Sequence, residues 1–227
     1  MAWIIKRQRS LRLLILVIKP SPTVSMTHSE ILFPEPGFGA LIFDLDGTLV
    51  DSMPAHFRCW CLALADQGAE NVFSEDAFYA MGGRPTRDIV EILNRSKGLH
   101  LDPDAVSFSK KNHYLKCLDQ VELVAEVANF AKAHWGKVPL AVASGGGRIV
   151  VEKTLETLGI SELFDAVVTA NDVVNGKPAP DIFLETAKRL GVVPEKCVVF
   201  EDAVPGAEGA RAAGMEVVLV PAPARNH

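Results

Sequence analysis

The sequence lacks any long hydrophobic run and contains little cysteine. No stretch approaches the roughly 18 consecutive apolar residues of a membrane-spanning helix, so we expect no stable membrane insertion. The 227 residues include only four cysteines. Cys59 and Cys61 are two residues apart, but no second Cys/His pair follows them at the spacing of a zinc site. These absences predict a cytoplasmic protein whose thiols are reduced.

Positive charge is scarce outside the first residues of the chain. Residues 1–25 contain five basic residues and no acidic one, whereas the remainder has 18 Lys and Arg against 28 Asp and Glu. Because binding to a phosphate backbone needs a basic surface, we expect no nucleic-acid partner. An acidic site that holds a divalent cation remains compatible with a small anionic substrate. We expect the protein to act as a monomer.

Residues 1–38 are predicted to form an N-terminal extension to the folded protein. Residues 13–18 are an apolar run behind a basic stretch, but the run is short for a signal peptide and no small-x-small cleavage site follows it. Three interpretations stay open: a disordered basic arm, a helix on a membrane surface, or residues upstream of the true start at Met26. We predict that residues 1–25 are dispensable.

Short apolar runs that alternate with helical patterns predict an α/β fold with a Rossmann-like parallel sheet. The helical patterns between the later runs end at Gly159, Gly191 and Gly214, where a left-handed residue often ends a helix. The predicted strands cover residues 40–43, 138–143, 166–169, 197–200 and 216–220.

Residues 52–118 interrupt this alternation. They contain helical patterns at residues 55–67, 87–94 and 105–118 and no convincing strand. The sequence therefore predicts a helical cap domain at residues 52–118, inserted into a core domain formed by residues 39–51 and 119–227.

Acidic residues follow the first predicted strand directly. Asp44 and Asp46 are two residues apart, so in extended backbone both carboxylates point to one side, and Gly47 and Thr48 come next. Ligands of open α/β sheets bind outside the carboxyl ends of the strands. This position predicts a functional site and not merely a turn.

Further candidates follow the later strands. Ser144 precedes a glycine run that begins with Gly145, where free amides can hold a phosphate. Lys177 lies before a predicted helix, and Glu201 and Asp202 follow another strand. Each alone could be a turn, a solvated charge or a helix cap. Their shared position at strand ends predicts one common site.

In this order the motifs resemble those of the haloacid dehalogenase superfamily, over residues 40–220. The segments around Asp51, Lys177 and Glu201 resemble the subgroup with β-phosphoglucomutase and sugar-phosphate phosphatases, which have a helical cap. The resemblance implies Mg²⁺ bound by Asp44, the backbone carbonyl of Asp46 and Asp202, with Glu201 nearby or bound through water. It also implies a small phosphorylated metabolite as the substrate.

The catalytic roles implied by the resemblance agree with the chemistry of these residue types. Asp44 is expected to attack phosphorus and form an aspartyl-phosphate. Asp46 is expected to protonate the leaving oxygen and then deprotonate water. Lys177 and Ser144, with the amides from Gly145 onward, are expected to hold the transferring phosphoryl group. Thr48 is expected to contact the substrate or to orient Asp46 or its loop, although a purely structural hydroxyl is an equal alternative.

Five residues of the predicted cap are candidates for substrate binding. His56 lies where the relatives place a histidine near the substrate, and Arg84 and Arg87 could bind an anionic group at the far end of the substrate. The alternatives are a half-buried helix residue for His56 and a solvated helix start for the two arginines. The other two candidates are Lys110 and Lys111.

The predicted function is hydrolysis of a small sugar phosphate, of the fructose 1-phosphate or phosphogluconate type. One alternative is a β-phosphoglucomutase that interconverts β-glucose 1-phosphate and glucose 6-phosphate. Pro85 lies near the position of the mutase's substrate-binding arginine, which favours the phosphatase. A second alternative is a catalytically inactive binding module.

Overall fold

A computed structural model describes residues 30–82 and 84–221. The strands are β1 (Ala40–Phe43), β2 (Val50–Asp51), β3 (Glu122–Leu123), β4 (Leu140–Ser144), β5 (Ala166–Thr169), β6 (Cys197–Glu201) and β7 (Glu216–Leu219). The α-helices are α1 (Met53–Ala65), α2 (Glu75–Ala80), α3 (Thr86–Lys97), α4 (Pro103–Leu115), α5 (Ala125–His134), α6 (Arg148–Thr157), α7 (Asp181–Leu190) and α8 (Val204–Ala212).

Five of the strands form one parallel sheet in the order β5-β4-β1-β6-β7. The predicted α/β class with a Rossmann-like sheet is confirmed, and each predicted strand occurs within two residues of its expected bounds. The central strand β1 is fully buried because helices cover both faces of the sheet. Successive residues of β1 alternate between two cores: Leu41 and Phe43 on one face, Ala40 and Ile42 on the other.

Helices α1 to α4 lie between β2 and β3 along the chain and have a core of their own. Trp60, Phe73, Phe78 and Leu93 belong to a buried cluster that is separate from the two clusters on the sheet. The antiparallel pair β2–β3 joins the two ends of this helical segment, with Val50 opposite Leu123. This arrangement agrees with an inserted helical cap, and the domain limits at residues 52 and 118 remain a prediction.

Helices α2 and α5 were not predicted from the sequence. Helix α2 has only six residues, and two of the three buried residues of α5 are alanines, Ala128 and Ala131. Small apolar residues give a weak periodic signal. Among the described residues, no helix combines the length and the apolar character that crossing a membrane requires.

The last residues of the predicted extension pack against the core. The Phe33 ring stacks on Phe130 of α5 with centroids 4.5 Å apart, and Phe38 lies 5.5 Å from the His134 ring. The extension therefore contributes packing from about Ile31 onward. Residues 1–29, which include Met26 and the apolar run at 13–18, lie outside the described residues, so the dispensability of residues 1–25 stays a prediction.

Truncating Phe33 should measure how much this segment stabilises the fold. Phe33→Ala removes a stacked ring that is only 39% exposed, so the free energy of unfolding should fall by about 1–2 kcal/mol. Leu32→Ala is the matched control because Leu32 is 82% exposed. Urea denaturation checks both variants, and equal midpoints for Phe33→Ala and Leu32→Ala would contradict the packing role.

Candidate active site

The carboxyl ends of three neighbouring strands bring the sequence motifs together. Asp44 follows β1, Ser144 ends β4 and Glu201 ends β6. Strand β1 pairs with both β4 and β6, and the backbone N–H of Asp44 donates to the Phe200 carbonyl at 2.9 Å. Because the strands are parallel, these three residues reach the same edge of the sheet.

Lys177 joins the residues at this edge. Its Nζ lies 2.5 Å from Asp44 Oδ1, 2.5 Å from Glu201 Oε1 and 3.1 Å from the Ala143 carbonyl. Burial opposes a charged ammonium, but the two carboxylates raise the pKa of Lys177 above its usual value. Lys177 therefore places a fixed positive charge beside Asp44.

Two carboxylates contact this ammonium group, and a third carboxylate lies close to them. Asp44, Glu201 and Asp202 each offer an oxygen, and these atoms lie within 4.8 Å of one another. Burial raises the pKa of Asp44 well above its usual value, opposed by Lys177 and reinforced by Glu201 and Asp202. Burial and the charge on Glu201 likewise raise the pKa of Asp202 to about 6. A divalent cation would offset this excess negative charge, and oxygen donors are the ligands that hard cations prefer.

The turn after β1 positions Asp202 through Gly47 and Thr48. Gly47 has φ 86°, and a Cβ there would overlap the carboxylate of Asp202. Thr48 is fully buried, and its Oγ1 donates to Asp202 Oδ1 at 3.1 Å. Thr48 was expected to contact the substrate or to orient Asp46 or its loop; in this structure its hydroxyl contacts Asp202, and a contact with the substrate stays a prediction.

Helix α8 positions Glu201 in a similar way. A Cβ on Gly206 would overlap the Glu201 carboxylate, so only glycine lets the helix backbone lie this close. The backbone N–H of Ala203 donates to Glu201 Oε2 at 3.0 Å. The spacing of Gly206 behind Glu201 was visible in the sequence, whereas the contact that requires it was not.

Asp46 lies in a different environment from Asp44. Its Oδ1 accepts from Ser52 Oγ at 2.5 Å and lies 2.9 Å from His56 Nε2. Burial alone would raise the pKa of Asp46, but the His56 ring and the Ser52 hydroxyl lower it to about 2. The His56 ring is stacked on Tyr114, with centroids 4.0 Å apart and planes 13° apart. The structure thus brings His56 to Asp46.

Ser52 is a site residue that the sequence analysis did not select. It is fully buried at the N-cap of α1, where the helical segment begins. Its side chain makes no capping hydrogen bond and contacts Asp46 instead. A serine directly before a helix is usually interpreted as a cap, so its position in the sequence did not indicate the contact with Asp46.

The remaining four cap candidates differ in position. Lys110 is close enough to Asp46 to interact with its charge, although burial lowers the pKa of Lys110. Lys111 lines a cavity together with Gly147 and Arg148. Arg87 is exposed and pairs with Asp104 of α4 at 2.6 Å. Arg84 is exposed, and no contact among the described residues links either arginine to the carboxylates.

The glycine loop after β4 runs beside Asp46. Ser144 Oγ accepts from the Gly146 N–H at 3.0 Å. A Cβ on Gly146 would lie 3.2 Å from Ser144 Oγ and 3.9 Å from Asp46 Oδ2, whereas a Cβ on Gly145 would meet nothing within 4 Å. Gly145 therefore leaves room for a group that binds between this loop and the carboxylates.

Known proteins resemble this chain in sequence and in fold. The chain is 40% identical over 184 residues to fructose-1-phosphate phosphatase YqaB of Escherichia coli (strain K12). The aligned residues make up 81% of this chain and 96% of that protein. CbbY from Rhodobacter sphaeroides, solved in complex with phosphate, superposes with a TM-score of 0.73 at 23% identity, over 82% of this chain and 87% of that chain.

The β-phosphoglucomutase of Clostridium difficile superposes with a TM-score of 0.68, also at 23% identity, over 80% of this chain and 83% of that chain. At this identity the two solved structures show a shared fold alone. The sequence itself matches the family described as haloacid dehalogenase-like hydrolase over residues 38–214, which is most of its length. The chain therefore belongs to the haloacid dehalogenase-like hydrolase family and is a hydrolase.

Proposed function

We propose that this protein is a Mg²⁺-dependent phosphatase that hydrolyses a small sugar phosphate through an aspartyl-phosphate on Asp44. The observation that carries the proposal is the cluster of Asp44, Glu201 and Asp202, two of which contact the Lys177 ammonium group. A carboxylate nucleophile beside a fixed ammonium and a set of oxygen donors suits attack on a negatively charged phosphorus centre. The relative with 40% identity, named a fructose-1-phosphate phosphatase, supports the substrate class.

The donor set fits Mg²⁺, which prefers hard oxygen ligands and keeps several waters. Asp44, Asp202 and the backbone carbonyl of Asp46 would hold the ion, with Glu201 as a neighbour that also orients Lys177. When bound, Mg²⁺ supplies positive charge that neutralises the phosphoryl oxygens. Lys177, held between Asp44 and Glu201, adds a second positive charge. Ser144 and the backbone amides that follow it would bind the other oxygens of the phosphoryl group.

The reaction then proceeds in two balanced steps on this chain's residues. An Asp44 oxygen forms a bond to phosphorus while the bond from phosphorus to the sugar oxygen breaks, and that oxygen takes a proton from Asp46. Asp46 then takes a proton from water, whose oxygen attacks phosphorus and releases phosphate and free Asp44. Asp46 must be protonated for the first step; the negative charge of a bound phosphate beside it opposes ionisation and favours this form.

Two observations weigh against the alternatives. A mutase must hold a bisphosphate in two orientations, and Pro85 lies near the position of the mutase's substrate-binding arginine. An inactive binding module would not need all of Asp44, Asp46, Lys177 and Asp202, and all four are present. A small phosphorylated metabolite is thus the proposed partner, and the monomeric state remains a prediction.

Phosphate release tests this function. The wild-type protein should release phosphate from p-nitrophenyl phosphate and fructose 1-phosphate with Mg²⁺, and EDTA should abolish both activities until Mg²⁺ is restored. The mutase is tested with β-glucose 1-phosphate and a trace of glucose 1,6-bisphosphate. Rapid formation of glucose 6-phosphate with little free phosphate would overturn the phosphatase assignment.

Gly206→Ala should disable the site without touching a reacting group. The added methyl overlaps the Glu201 carboxylate, so Glu201 and with it Lys177 must shift. A shift of about 1 Å in a positioning group can lower kcat by about 10²-fold, and we expect a loss of that size on p-nitrophenyl phosphate. Glu208→Ala, at an exposed position of the same helix, is the control and should keep full activity. Equal rates for the two variants would contradict the role assigned to Gly206.

A further inference from the structure

A short turn after β5 runs beside the glycine loop that follows β4. The two strands pair with Ser144 opposite Thr169, and both then leave the sheet: β4 into the loop of residues 145–147, and β5 into the turn Ala170–Asp172. The loop consists of three consecutive glycines. Glycine loses more conformational freedom than any other residue when it is ordered, so contacts from outside the loop contribute strongly to its shape.

Two hydrogen bonds from this turn hold the loop on either side of Gly147. The Ala170 N–H donates to the Gly146 carbonyl at 3.2 Å, and the Asn171 side-chain oxygen accepts from the Arg148 N–H at 2.9 Å. Arg148 is the first residue of α6, and the residue before it, Gly147, has no side chain that could accept from the first N–H groups of the helix. Asn171 therefore supplies, from the neighbouring turn, the capping oxygen that the glycine lacks.

Asp172 stabilises the turn that carries Asn171. Its Oδ2 accepts from the backbone N–H and from the hydroxyl of Thr169, both at 2.8 Å. The same oxygen contacts the Arg148 guanidinium, and Arg189 of α7 donates to Oδ1 at 2.9 Å. Burial would raise the pKa of Asp172, but the hydrogen bonds from Arg189 and Thr169 hold this pKa below its usual value, so the carboxylate is ionised at neutral pH. The position of Asn171 is therefore set by contacts with β5 and α7, outside the loop.

The loop held in this way belongs to the proposed phosphoryl site. Ser144 Oγ accepts from the Gly146 N–H at 3.0 Å, and a Cβ on Gly146 would lie 3.9 Å from Asp46 Oδ2. The proposed mechanism uses Ser144 and the amides that follow it to hold the phosphoryl oxygens. An ordered loop presents these amides before the substrate arrives, whereas a disordered loop must be ordered during binding, which lowers the affinity. A residue that keeps the loop ordered therefore acts on substrate binding without contacting the substrate.

We propose that Asn171 and Asp172 are positioning residues for the reaction, because they hold the glycine loop in the shape that binds the phosphoryl group. This inference rests on the proposed phosphatase function and extends the site to a turn that carries none of the reacting groups. When only a fraction of the molecules has the competent loop, the apparent affinity for substrate falls by that fraction. Turnover of the bound substrate is retained, because binding has then already ordered the loop.

Asn171→Ala tests this role in the full-length protein. The substitution removes the hydrogen bond to the Arg148 N–H at an exposed position, so the fold should tolerate it. We expect KM for p-nitrophenyl phosphate with Mg²⁺ to rise about fivefold and kcat to stay within about twofold of the wild-type value, as loss of a helix cap that disorders the loop would give. Fructose 1-phosphate should show the same rise, because the loop binds the phosphoryl group and not the sugar. Asn129→Ala, at an exposed asparagine of α5, is the matched control and should change neither constant.

Isothermal titration with inorganic phosphate and Mg²⁺ gives the same comparison without turnover, and Asn171→Ala should again bind about fivefold more weakly than the wild-type protein. An inactive wild-type protein would count against the proposed function alone, since this loss of phosphate affinity would still support the positioning role. Asp172→Asn keeps the size of the side chain without its charge and should raise KM in the same way. A lower kcat at unchanged KM in Asn171→Ala, which is the result of a smaller folded fraction, would overturn the inference. Equal KM and equal phosphate affinity for Asn171→Ala and Asn129→Ala would overturn it as well.

Discussion

Asp44→Asn is expected to abolish turnover of every phosphate ester, with kcat lower by about 10⁴-fold or more, as is typical for loss of a catalytic nucleophile. The amide is a poor nucleophile and a weak ligand for a hard cation. It also removes one of the two carboxylates that hold Lys177, whose Nζ lies 2.5 Å from Asp44 Oδ1. One change would therefore remove the proposed nucleophile and proposed metal ligand and would also disturb the position of Lys177.

Two measurements separate this mechanism from a simple structural defect. Phosphate release from p-nitrophenyl phosphate and from fructose 1-phosphate gives the loss of rate, and mass spectrometry of the rapidly quenched wild-type protein should detect a phosphorylated peptide that contains Asp44. Asp119→Asn, at an exposed aspartate, is the matched control and should keep its rate. Substantial turnover by pure Asp44→Asn protein would refute the aspartyl-phosphate.

The sequence was sufficient to predict the sheet and the residues at its edge. Each strand is a short apolar run, and β1 is the clearest case because all four of its residues are buried. In a parallel sheet the carboxyl ends of neighbouring strands lie at one edge, so the polar residues after each run had to converge. Asp44, Ser144 and Glu201 meet for this reason, although more than 100 residues separate some of them.

Contacts across elements could not be predicted in the same way. Thr48 donates to Asp202, which is 154 residues away in the chain, and nothing in the local pattern identifies that partner. Arg87 pairs with Asp104 because α3 packs beside α4, and the relative rotation of two helices is not encoded in the period of either one.

Replacing Asp46 should lower the reaction rate to an extent that depends strongly on the leaving group. A proton donor matters most when the departing oxygen is basic, and a sugar alkoxide is far more basic than p-nitrophenolate. Asp46→Asn should therefore lower kcat/KM for fructose 1-phosphate by about 10³-fold and for p-nitrophenyl phosphate by roughly tenfold in the first step. The amide retains the size of the carboxyl group, so the contacts with Ser52 and His56 are perturbed without leaving a cavity.

The neighbours of Asp46 explain why this test requires a second variant. The His56 ring and the Ser52 hydroxyl lower the pKa of Asp46 to about 2, against the effect of burial, so the unliganded site holds an ionised carboxylate. Ser52→Ala removes one of these hydrogen bonds and keeps the acid, and it should affect both substrates to a similar, smaller extent. The measurement is the ratio of kcat/KM for the two esters in wild-type, Asp46→Asn and Ser52→Ala proteins. If Asp46→Asn lowers kcat/KM by the same factor for both esters, Asp46 acts by positioning the substrate or the metal, and the leaving oxygen obtains its proton from another group.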